Sequence, residues 1–102
     1  MSAANQTAKS AEKVLEVLTV LMGHFAHGLT PGELAKATDL SPSNITRYVA
    51  TLEEKGFAER IPETGRIRPS VKLAQHAVAI LRSLDAAKSR IDELTSRLAT
   101  TL

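Results

Sequence analysis

Within the stretch SPSNITRY, residues 41–48, the chain gathers Ser41, Ser43, Asn44, Thr46, Arg47 and Tyr48, six side chains able to donate hydrogen bonds. Ser41 followed by Pro42 reads as a helix start, with the serine as cap and the proline at the first helical position. Ser43, Asn44 and Arg47 then lie on the face away from Ile45, Val49 and Leu52. They occupy the first turns, where free backbone N–H groups and the positive helix end attract phosphate. Such a face suits nucleic acid: an arginine can grip guanine through two bonds and an asparagine adenine, each worth about 1–3 kcal/mol of discrimination. Thr46 sits on the flank of this face. The ring of Tyr48 can complete a core while its hydroxyl reaches a phosphate. Ser41 serves first as a cap, and its hydroxyl or a neighbouring N–H can hold a phosphate.

A second basic set follows. Arg66 and Arg68 alternate onto one side of an extended stretch, and Arg60 lies on the stretch that faces it. Beside a recognition helix, these charges suit phosphate or minor-groove contact. The same charges would also keep an edge strand from aggregating. Glu59 and Glu63 confine the positive patch to a small area.

No other chemistry is legible. His24 and His27 are three apart, but no cysteine and no obvious third ligand accompany them, so they read as helix-end histidines and no metal is expected. There is no recognisable Ser/His/Asp set, paired-carboxylate site or Gly-rich phosphate loop. The expectation is a protein that is not an enzyme and uses no cofactor.

The elements that must position these residues follow from periodicity. Ala11, Val14, Leu15, Leu18, Leu21 and Met22 recur at three- and four-residue steps and predict a helix ending near Gly23–Gly28, with Val17 and Val20 adding apolar surface beyond the stripe. LTPGELAKATDL predicts a short second helix capped by Thr30, with Pro31 first and Glu33 placed for a capping box; Leu34 and Ala35 face inward. The third helix starts at Ser41 and closes at Gly56. Two extended stretches, Phe57–Ile61 and Arg66–Arg68, flank a Pro-Glu-Thr-Gly turn in which Gly65 can adopt a left-handed conformation. Helix, turn, helix and hairpin is the order of a winged helix-turn-helix.

After Pro69 the pattern is helical again. Leu73, Ala77, Ile80, Leu84, Ala87, Ile91, Leu94 and Leu98 alternate steps of four and three, a heptad seam. Leu73, Ala77 and Val78 are expected to pack back on the domain. Leu84, Ile91, Leu94 and Leu98 lie beyond its reach and are the expected dimerisation residues. Lys88, Arg90 and Arg97 flank the seam without opposite charges on the matching side, so they specify no orientation.

Composition agrees with one small domain. The chain has 102 residues, 43% hydrophobic but only 3% aromatic, so its core must come from Leu, Ile, Val and Ala, which favours helix packing. Net charge is 13 minus 11, or +2, compatible with nucleic acid but weak evidence for it. The absence of cysteine, of a signal-peptide layout and of any apolar run near 20 residues leads to the expectation of a cytoplasmic protein away from membranes.

From Ser10 to about Ala77 the chain resembles the DNA-binding domain of IclR-type transcription regulators. The matching pieces are SAEKVLEVLTVL, LTPGELAKATDLSPSNITRYVATLEEKGF and AERIPETGRIRPSVKLAQHA. Two places depart from the family pattern: Tyr48 stands where an aliphatic residue is usual, and Arg68-Pro69 where a Leu-Gly pair is common. The resemblance implies operator binding as a dimer, with the Ser41–Lys55 helix in the major groove and the wing on the backbone. The family's large effector-binding domain has no counterpart in 102 residues, so control is expected from the protein's own concentration or from a partner protein.

The expected architecture is therefore mostly α: a winged helix-turn-helix, with a three-helix core and a β-hairpin wing, and a long C-terminal helix. Residues 1–9 form a flexible start, 10–70 the DNA-binding domain and 71–102 a dimerisation helix. The expected function is sequence-specific binding of double-stranded DNA, at an inverted repeat, by a bacterial or phage homodimer. Two alternatives are a winged-helix protein-interaction module (antirepressor, adaptor or assembly factor) and a nonspecific DNA-coating protein.

Overall fold

A computed structural model describes residues 6–100. Residues 1–5 of the expected flexible start, and residues 101–102 of the expected dimerisation segment, lie outside the described residues. Four helices and one hairpin follow in order: α1 (Lys9–Met22), α2 (Pro31–Thr38), α3 (Pro42–Glu54), β1 (Ala58–Arg60), β2 (Ile67–Pro69) and α4 (Val71–Thr100). This is a winged helix-turn-helix with a long C-terminal helix.

Local chemistry sets the boundaries of α2 and α3. Thr30 accepts the Glu33 N–H at 3.1 Å while Glu33 accepts the Thr30 N–H at 2.9 Å, a closed capping box. α2 ends at Asp39, whose φ of 58° turns the chain sharply. Two residues on, Ser41 caps α3 by accepting the Asn44 N–H at 3.2 Å. Past α3, Gly56 takes a φ of 82° and sends the chain into β1.

The core is aliphatic. Leu21, Leu34, Ile45, Ile67, Val17 and Val49 are fully buried, and Leu52, Ala58 and Tyr48 close around them. Each large side chain so buried contributes about 1.5–3 kcal/mol. The inward line of α1 differs from the predicted stripe: Val17 and Leu21 are buried, and Val14, Leu18 and Val20 pack half-buried beside them. Leu15 and Met22, predicted inward, are more than half exposed. So many apolar residues on α1 allow two phases, and contact with α3 and β2 selects the one centred on Val17 and Leu21.

The hairpin is antiparallel, pairing Ala58 with Pro69, Glu59 with Arg68 and Arg60 with Ile67. Arg66 falls in the turn rather than in β2, because its N–H is taken by the Thr64 hydroxyl at 3.2 Å. Gly65 has the expected left-handed conformation, with φ 73°. A feature not predicted is a third edge: Leu29 and Ile67 exchange both backbone hydrogen bonds, at 2.7 and 2.8 Å, and tie the wing to the loop before α2.

α4 leaves this body after one turn. Leu73 and Ala74 are half-buried, whereas Ala77 and Val78, expected to pack back, are exposed, and no residue of α4 is fully buried. The radius of gyration of 19.9 Å reflects the projecting helix, since a compact chain of this length would be near 13 Å.

Candidate nucleic-acid interface

The exposed face of α3 is built from side chains that bond to their own helix. Thr46 donates to the Pro42 carbonyl at 3.1 Å and Thr51 to the Arg47 carbonyl at 3.0 Å. Ser41 and Ser43 hydroxyls stand 3.3 Å apart, and Arg47 Nη1 reaches Asn44 Oδ1 at 3.4 Å. Ser41, Ser43, Thr46 and Arg47 are exposed and Asn44 is half-buried. Ser43 and Arg47, expected to face outward, are thus exposed, while Asn44, expected beside them, is partly covered. Tyr48 is only 7% exposed and belongs to the core, with the Arg47 guanidinium 5.8 Å from its ring centre. Its hydroxyl has no partner among the described residues, and no buried polar side-chain atom there is unsatisfied, so the hydroxyl opens to solvent.

The end of α3 is electrostatically distinct. α1 carries Glu12 in its first turn and α2 carries Glu33. α4 has no acid of its own there, but Glu59 accepts the Val71 N–H at 3.2 Å. α3 alone begins without a carboxylate, capped by a neutral serine. Its positive end is thus uncompensated and open to an external anion.

In the wing, all three arginines have partners within the chain. Arg60 lies 3.7 Å from Glu53 and donates to the Gly65 carbonyl at 3.4 Å, keeping half its side chain exposed. Arg66 turns back toward α2: it donates to the carbonyls of His27 (3.0 Å) and Gly28 (3.3 Å) and to Glu33 at 2.7 Å. Arg68 is gripped by Glu59 through Nε at 2.9 Å and Nη2 at 2.8 Å, and lies 5.4 Å from the centre of the Phe25 ring. The Thr30 N–H first, and then the charge of Arg66, hold the Glu33 carboxyl below its usual range, against a partial loss of hydration. The second role of Glu33 was not legible, because its partner is 33 residues away.

Of the seam residues, Leu84, Ile91, Leu94 and Leu98 are all more than half exposed along α4. Lys88–Asp92 and Glu93–Arg97 pair along the helix at four-residue spacing. Among the described residues no group of three His, Asp or Glu is placed to hold a metal, and no helix is long and apolar enough to cross a membrane.

The profile of the IclR helix-turn-helix domain matches residues 10–62, just over half of the chain. The chain belongs to the IclR family. It carries the winged DNA-binding domain of these transcription regulators. The HTH-type transcriptional regulator XynR of Escherichia coli (strain K12) is 29% identical over 92 residues, which cover 87% of this chain and 36% of XynR. Among solved structures, Pseudomonas aeruginosa HmgR superposes with a TM-score of 0.64 at 26% identity, over 80% of this chain and 33% of HmgR. An IclR family transcriptional regulator from Brucella abortus shares the fold, with a TM-score of 0.59 at 23% identity over 78% of this chain and 30% of that one. The chain thus spans about a third of the length of these IclR-type relatives.

Proposed function

We propose that this IclR-family domain binds double-stranded DNA sequence-specifically, as a cytoplasmic homodimeric transcription regulator rather than an enzyme. The observation that carries the proposal is the start of α3: the one helix end without a carboxylate is also the one that presents Ser43, Asn44, Thr46 and Arg47. In this reading α3 enters the major groove. Ser41 and the N–H groups around it hold a phosphate, Arg47 and Asn44 read base edges, Ser43 and Thr46 line the contact, and the Tyr48 hydroxyl meets the backbone. Arg60, the most exposed wing arginine, supplies the wing's phosphate contact. Arg66 and Arg68, which the sequence also suggested for DNA, hold the wing in place.

Residues 10–70 then form the DNA-binding unit and 71–102 the dimerisation segment. The heptad seam supports pairing with a second copy, because its leucines and isoleucine stand in solvent on a helix that has left its own core. A two-fold dimer would recognise an inverted repeat with half-sites about 34 Å apart or a multiple of it.

Titration of duplex DNA across salt tests the reading. Each neutralised phosphate should contribute a log-log slope of about 0.9, and a candidate operator should win over random duplex by about 1,000-fold or more. Selection from random duplexes identifies that operator, and Arg47→Ala should then lose about 10- to 100-fold on it. Binding indifferent to salt would overturn DNA recognition; identical enrichment by wild type and Arg47→Ala would remove Arg47 from base reading.

A further inference from the structure

The first turn of α4 is fastened to the domain by bonds from both the end of α3 and the wing. Ser70, the one buried polar residue among those described, accepts the Leu73 N–H at 3.0 Å and donates its hydroxyl to the Gly56 carbonyl at 2.7 Å. Its own N–H reaches the Phe57 carbonyl at 3.0 Å. From the wing, Glu59 accepts the Val71 N–H with one carboxylate oxygen and the Arg68 guanidinium with the other, and Arg68 in turn rests over Phe25. Beyond Leu73 and Ala74 the helix has no comparable support from the body.

We infer that Glu59, acting through Val71 and Arg68, is a positioning residue that sets the direction of α4 relative to the DNA-reading surface, and so the separation of half-sites a dimer accepts. The half-site part rests on the DNA-binding reading above. The lever is long: 30 residues extend about 45 Å, so a tilt of about 10° at the joint moves the far end by about 8 Å. One base pair spans about 3.4 Å, so a loose joint blurs spacing by about two base pairs. Arg68, engaged by both Glu59 and Phe25, serves this joint and not the DNA backbone.

The direction of α4 can be measured without DNA. The chain has no cysteine, so Ala37→Cys on α2 and Ser89→Cys on α4, both exposed, accept spin labels uniquely. Dilution with unlabelled protein isolates the distance within one chain. Wild type should give a narrow distribution, and Glu59→Gln one about twice as broad, with the domain still folded by its thermal melt. On duplexes carrying two half-sites at graded separations, wild type should prefer its best spacing by about tenfold, the order of one lost base contact. Glu59→Gln should flatten that preference to about threefold or less, on the same scale, while leaving the preferred half-site sequence unchanged. A variant that was merely destabilised would instead weaken all spacings alike. Arg68→Ala should flatten spacing in the same way and keep the wild-type salt slope.

An unbroadened distance in Glu59→Gln overturns the inference whatever the DNA result. A broadened distance with spacing as sharp as wild type overturns the link to half-sites, and a salt slope reduced by about 0.9 in Arg68→Ala would return that residue to the phosphate backbone. Wild type that ignores duplex DNA sinks the DNA-binding reading, and with it the half-site claim, while the label distances still decide the joint.

Discussion

The start of α3 and the wing carry similar polar side chains but use them differently. On α3, every hydrogen-bond partner of Ser41, Asn44, Thr46 and Arg47 among the described residues lies within four residues in sequence. In the wing, Arg66 reaches across 33 to 39 residues and Arg68 across 9. The helix satisfies its polar groups locally and leaves their outer sides to solvent. The wing uses its charges to hold separate elements together. Two arginines that look alike in sequence, Arg47 and Arg66, therefore differ in their partners: Arg47 bonds within its own helix, whereas Arg66 bonds to His27, Gly28 and Glu33 on a distant segment.

The sharpest way to break that contrast is to cut the wing loose and leave α3 intact. Gly28 has φ 68°, and a Cβ built there would sit 2.5 Å from the Ile67 carbonyl oxygen. Both that conformation and that approach exclude a side chain. Gly28→Ala should break the Leu29–Ile67 bridge and displace the carbonyl that receives Arg66, costing about 2 kcal/mol or more, the largest effect expected of any single methyl group here. Chemical denaturation measures it. If Gly28→Ala unfolds at the wild-type midpoint, the wing does not depend on this loop.

That same contrast explains what was readable in advance. Helix starts at Thr30 and Ser41, the turn at Gly65 and the outward set on α3 depend on residues three or four apart, so sequence spacing reveals them. The heptad of α4 is legible for the same reason. The partners of Arg66 and Arg68, the Leu29–Ile67 bridge and the fastening of Ser70 depend on chain segments brought together only by the fold. α1 shows a third situation. Its local pattern was clear but ambiguous in phase, and the choice of Val17 over Leu15 is made by what packs on it.

An intermediate effect is expected at the cap of α3. Ser41→Ala removes the side-chain acceptor of the Asn44 N–H and should cost about 1 kcal/mol, lowering the melting temperature by about 4–8 °C in a domain of this size. Ser41→Gly should cost only a few tenths of a kcal/mol, because water and the backbone can serve the freed N–H. Since the wing makes no bond to Ser41, the two variants should leave the pairing of Arg66 with Glu33 untouched. Equal losses for alanine and glycine would mean that Ser41 acts through something other than its cap.

The smallest effect falls at Glu33, where the two modes meet, since one carboxylate both closes the start of α2 and receives Arg66 from the wing. The Thr30 N–H and the Arg66 charge favour the ionised form, so the folded carboxyl lies below its ordinary value of 4.5. The unfolded chain therefore takes up the proton first as pH falls. The contribution is full well above 4.5 and declines below it, through the lower folded value. Glu33→Gln keeps an oxygen for the Thr30 N–H but removes the charge that strengthens both that bond and the contact with Arg66. Wild type should be slightly more stable than Glu33→Gln at neutral pH, with the gap closing on acidification and shrinking in high salt, because the pair is partly exposed. Denaturation midpoints on both sides of pH 4.5 measure it. A gap that widened in acid would reverse the assigned sign and remove Arg66 as the wing's electrostatic tie to α2.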